Sequence, residues 1–191
     1  SRHNELAQRL LAAATSNPWL EGLAENTWVA LAIMQSDLDA GLAHGRRALD
    51  LADHSGAAAL KRAVLANLGN VHHLMGNADQ AVVLWEQALA VLPTAGERSH
   101  AALESMAALY SAQGRTTEAE AILARIEHAV RTDTDAQLYA NRHARLALAQ
   151  LRGRQGSTTE AFATIDTVLA TAERAGDVLL ESHAHIARAE L

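Results

Sequence analysis

The stretch LANLGNVHHLMGNADQAVVLWEQALAVLP, residues 65–93, decides the fold. Leu65, Leu68 and His72 recur at helical spacing, Met75-Gly76-Asn77 interrupts the pattern, and Ala81, Trp85 and Ala88 resume it as far as Pro93. That spacing predicts two antiparallel helices joined by a tight turn. Gly69 and Ala81 are small where the two helices approach most closely, and Trp85 is large enough to fill the space between one hairpin and the next. Gly76 falls just past the first helix, where a left-handed residue is cheapest. Asp79 lies in the first turn of the second helix, where the macrodipole favours an acid, and Pro93 stops that helix for want of an N–H.

Working outward, the same pattern returns in phase. After Gly114 come Ala119, Leu123 and Ile126, preceded by Leu103, Met106, Ala107 and Tyr110; after Gly156 come Ala161, Ile165 and Val168, preceded by Leu148 and Ala149. Upstream, Gly41 and Ala48 hold the small positions behind Trp28 and Val29, and Gly45 stands where a counterpart of Trp85 is expected. Near the start, Ala7, Leu11 and Ala14 followed by Pro18 read as a second helix without its first. The anchors Ala7, Gly41, Ala81, Ala119 and Ala161 are spaced 34, 40, 38 and 42 residues apart, a period that belongs to a repeat array. Ten antiparallel helices are predicted, over 4–15, 20–35, 37–53, 57–75, 78–92, 97–112, 116–131, 134–153, 158–174 and 177–191.

Composition agrees. Among 191 residues there are 43 Ala and 28 Leu against one Phe and two Tyr, which favours helix and excludes an all-β fold. Cysteine is absent, so disulfides, thiolate metal sites and cysteine nucleophiles are excluded. A net charge of −6, from 16 basic and 22 acidic residues, leaves no basic footprint for nucleic acid. No apolar run is long enough to span a bilayer and no signal-peptide pattern opens the chain, so a cytoplasmic location is expected.

Residues 65–93 resemble the tetratricopeptide (TPR) signature at every position, with Leu65 for its Trp, His72 for its Tyr and Trp85 for its Phe. The resemblance implies an all-α fold, a right-handed α-α superhelix. It also implies a single repeat domain over 1–191: a half repeat at 3–18, repeats at 20–54, 57–95, 97–133 and 134–175, and a half repeat at 177–191. Such arrays need polar caps, so the chain reads as a piece of a larger protein, expected to self-associate through Trp19, Leu20, Val178, Leu179 and Ile186. The roughly 40-residue spacing, with junctions such as residues 51–56 and 172–177, is similar to the sensor region of large bacterial regulators. Those couple a TPR array to an ATPase module and a DNA-binding helix-turn-helix. A free-standing assembly factor or adaptor is the alternative.

TPR proteins bind peptides or partner proteins in a concave groove lined by the first helix of each pair, and the resemblance places that groove here by phase. It falls on Asn26, Ala30 and Ile33; on Ala66, Asn70 and His73; on Glu104, Ala108 and Ser111; and on Leu146, Gln150 and Gly153. These residues are small, mostly neutral and amide-bearing, which suits an extended peptide backbone. The face lacks the Lys and Arg of the carboxylate clamp found in chaperone-binding TPR proteins, and Glu104 favours neutral or basic ligands. No catalytic or cofactor motif is present, so neither an enzyme nor a cofactor is expected. Metal is not expected either: His72 and His73 point about 100° apart on a helix, and His183 and His185 about 200°. His72 is expected to replace a packing Tyr. Arg142, Arg145, Arg152 and Arg154 form a basic cluster expected to be solvated or ion-paired.

Overall fold

The computed structural model describes residues 17–91, 97–129 and 139–191, which are all-helical with no strand. The helices are α1 (Pro18–Gln35), α2 (Leu38–Ser55), α3 (Ala58–Leu74), α4 (Ala78–Val91), α5 (Glu97–Ala112), α6 (Thr116–Ala129), α7 (Tyr139–Arg154), α8 (Thr158–Ala175) and α9 (Val178–Glu190). They follow the predicted spans closely; the expected helix over 4–15 lies outside the described residues. The chain gathers into two compact units, residues 1–93 and 94–191, divided immediately after Pro93.

In unit 1, α1 packs on α2 and α3, and α3 packs on α2 and α4. Asn17 caps α1 by accepting from the N–H groups of Trp19 and Leu20, and Pro18 opens the helix where no N–H is needed. The turn after α1 is made by a serine: Ser36 adopts φ 58°, and Asp37 N–H bonds back to Ala32 C=O at 2.9 Å. After α3 the same job falls to Gly76, at φ 80°.

The core of unit 1 joins Ala48 and Ala52 of α2, Leu60, Val64, Leu65 and Leu68 of α3, and Leu84 and Ala88 of α4. Two small residues decide its shape. A β-carbon at Gly69 would fall 2.5 Å from the Trp85 indole, so only glycine admits that ring. At Gly45, a β-carbon would overlap Leu68 of α3. The place left empty by the missing aromatic in α2 is therefore taken by a side chain from the next helix. Trp85 is fully buried, and its described polar and ring contacts lie on α3, the other helix of its own hairpin.

In unit 2, α5 packs on α6 and α7, α7 on α6 and α8, and α9 on α7 and α8. Its core includes Leu146 and Ala149 of α7, Ile165, Val168 and Ala172 of α8, and Leu180, Ala184 and Ala187 of α9. Apolar residues at three- and four-residue intervals thus face inward on each helix.

Candidate functional site

The predicted groove residues of unit 1 converge on two neighbouring helices. The Asn67 Nδ2 donates to Asn26 Oδ1 at 3.0 Å, tying α3 to α1 side by side. The Trp85 Nε1–H, reaching across from α4, lies 3.2 Å from both Ala66 C=O and Asn70 Oδ1. Indole nitrogen can only donate, so it holds the Asn70 oxygen and turns the Asn70 amino group away. His73 leans on the same indole, with ring centroids 5.8 Å apart. Asn26, Ala66, Asn70 and His73 are therefore brought together, whereas Ala30 and Ile33 continue along α1, the first exposed and the second half-buried.

Asn67 was not among the expected residues. Its signal was the offset of 41 from Asn26, close to the repeat period, which sets two amides in register on adjacent first helices. Beside this array, Glu25 binds two cationic or polar groups of α2, His44 Nδ1 at 2.6 Å and Arg47 Nε at 3.2 Å. Trp28 stacks on the His44 ring at 5.9 Å. The carboxylate next to Asn26 is thus already engaged.

The corresponding residues of unit 2 behave differently. Glu104 is half-buried and has no hydrogen bond or ion pair to another described residue; burial pushes its carboxyl up to about 6. Ala108 is exposed, and Ser111 accepts from Arg154 through both its C=O and its hydroxyl, at 3.0 and 3.1 Å. Gln150 is half-buried. Leu146 is a correction: it is buried in the core against Ala149 and Ile165, so it offers no side chain to a groove. A β-carbon on Gly153 would overlap the Leu191 side chain, so that position too is covered.

Arg142, Arg152 and Arg154 of the basic cluster are engaged by the fold, and Arg145 is half-buried. Arg142 Nη2 donates to Asp177 Oδ2 at 2.8 Å, with His143 Nε2 at 3.7 Å from the same oxygen. The two partner side chains are only 12 % and 10 % exposed. The other Asp177 oxygen accepts from Leu180 N–H and caps α9. The Arg142 guanidinium, by hydrogen bonding, holds the Asp177 carboxyl below its ordinary value, while burial lowers His143. Arg152 approaches Thr164 and Glu160. His72, partly buried, is lowered by desolvation and then by Arg46. Among the described residues no group of three His, Asp or Glu side chains could hold a metal ion, and no helix is long and apolar enough to cross a membrane.

No protein-family model and no curated protein matches the chain. A crystal structure of BtubC (BKLC) from P. vanneervenii is similar in fold, with a TM-score of 0.70 at 17 % identity, covering 97 % of this chain and 87 % of that one. At that identity the likeness is one of fold.

Proposed function

We propose that this chain is a TPR-type superhelical module whose first helices bind an extended segment of a partner protein, as the sensor region of a bacterial cytoplasmic regulator, without catalytic activity or a cofactor. The observation that carries this reading is the amide array of unit 1. Asn26 and Asn67 spend one amide function on each other, Asn70 is oriented by Trp85, and each keeps hydrogen-bonding capacity for a ligand. An extended backbone presents alternating C=O and N–H groups that such an array can take up. The succession of helical hairpins in each unit supports the repeat reading. In unit 2, the half-buried Glu104 acid, without a described counter-charge, favours a neutral or basic ligand.

The test is selection of binders from a displayed random-peptide library against the full chain. Selected peptides should compete with one another and weaken by about 1–2 kcal/mol for Asn70→Asp, the scale of one or two polar contacts. That substitution keeps an acceptor for Trp85 Nε1 but replaces the outward amino group. Peptides indifferent to both Asn70→Asp and Asn26→Ala would overturn the reading. The regulatory context predicts ATPase and helix-turn-helix segments in the parent reading frame. Trp19, Leu20, Val178, Leu179 and Ile186 are exposed, which supports self-association, and a mass independent of concentration would count against it.

A further inference from the structure

At one end of unit 1 three large apolar side chains stand in water: Met34 is 81 % exposed, Leu74 54 % and Met75 38 %. Their placement follows from the helix register. The Asn26–Asn67 bond sets α1 and α3 side by side, and Met34 and Met75 each lie eight residues beyond the bonded amides. The ends of both helices meet the start of α2, because Ala32 of α1 and Val71 of α3 both pack at Gly41. Single exposed apolar residues are ordinary, but three gathered at adjoining helix ends form a patch.

Carboxylates stand at the helix starts beside the patch, while Arg46 of α2 acts on His72 of α3. Asp37 caps α2, Asp39 lies in its first turn and Asp79 in the first turn of α4. Neither residues 34–43 nor residues 74–85 contain a Lys or Arg. His73 is turned toward Trp85. Flexible methionines adapt to the shape of an incoming side chain, and a rim of carboxylates attracts cations while repelling anionic surfaces.

We propose that this end of unit 1 docks a basic amphipathic helix of a partner protein, its Leu- or Met-like face on Met34, Leu74 and Met75 and its Lys or Arg flanks toward Asp37, Asp39 and Asp79. The site is at the helix ends, not on the amide face, and it does not depend on peptide binding there.

The test uses the full chain and a fluorescein-labelled 14-residue Leu/Lys helical peptide, read by anisotropy, with a Leu/Glu peptide of the same pattern beside it. The Leu/Lys peptide should bind saturably and the Leu/Glu peptide at least tenfold more weakly. Met34→Gln with Leu74→Gln should weaken binding tenfold or more at unchanged helicity, since both side chains are exposed. Asp39→Asn with Asp79→Asn should weaken it three- to tenfold and flatten its salt dependence. Equal binding of the two peptides, or unchanged affinity in either double variant, would overturn the proposal. So would a self-association abolished by the Met34 variant, which would make the occupant a second copy, or binding to anionic phosphatidylserine vesicles lost in the same variant, which would make it a membrane.

Discussion

Neutral amides join α1 and α3 of unit 1, whereas α7 of unit 2 is joined to its neighbours through arginines. In unit 1, Asn67 bonds Asn26 and Trp85 bonds Asn70. In unit 2, Arg154 of α7 reaches Ser111 of α5, and Arg142 is paired with Asp177. The difference has physical consequences. Amides cost little to desolvate when each satisfies the other, and their interactions do not change with pH. Buried charges depend on each partner, so losing one leaves an uncompensated ion, and their contribution titrates. Glu104 shows the cost directly, as an acid in unit 2 with no described partner and a raised pKa.

The largest expected effect tests the unit 1 side. Trp85→Ala empties the site above Gly69 and should lower stability by about 3–5 kcal/mol, read by chemical denaturation. Trp85→Phe keeps most of the volume and removes only the indole donor, so it should cost about 1 kcal/mol. Equal losses in the two variants would mean that the hydrogen bonds to Ala66 and Asn70, not the packing, carry the residue's contribution.

Next comes the ion pair of unit 2. Asp177→Ala removes both the cap of α9 and the partner of Arg142, and should cost about 2–4 kcal/mol, with faster hydrogen exchange confined at first to α9. The sign with pH follows from the lowered carboxyl. The stabilisation is complete above the ordinary aspartate value of 3.8 and is lost as pH falls through the lower folded value. Wild type and variant should therefore converge in stability in strong acid. A constant difference down to the lowest pH would show that the stabilisation does not depend on the charge of the carboxylate.

Glu104→Gln should act in the opposite direction. A carboxyl raised from 4.5 to about 6 binds its proton more tightly in the folded state, so stability falls as pH rises between those values and stays lower above them. The neutral amide should be more stable than wild type by up to about 2 kcal/mol at pH 7, with no difference below pH 4. Thermal melts of both proteins across that range check it. The smallest effect belongs to the amide pair: Asn26→Ala should cost about 1 kcal/mol or less, the same at pH 5 and pH 8. A pH-dependent loss there would erase the contrast between the two units.

Much of this was legible without coordinates. Helix boundaries were readable because turn glycines and apolar spacing are local signals, as at Gly76, Gly114 and Gly156. That Asn70 and His73 share one side of α3 was legible, since phase along a helix is a local property as well. Leu146 was misplaced because an apolar residue on the inner flank of α7 can face either a groove or the adjoining α8, and only the packing of Ile165 and Ala149 against it decides which. Ser36 escaped notice as a turn residue because a left-handed serine leaves no compositional mark.

The amino-acid sequence by itself determined, for the described residues, that they are helical, where most of the helices turn, and which residues are small enough for close approach. These follow from short-range spacing and backbone sterics. The tertiary structure alone decided how side chains distant in sequence share their hydrogen-bonding groups. It decided that Trp85 turns the Asn70 amide, that Leu68 fills the gap at Gly45, that Asp177 caps α9 while holding Arg142, and that Glu104 is half-buried. Burial and donor direction depend on what other helices bring to the same place, and helical periodicity carries no record of that.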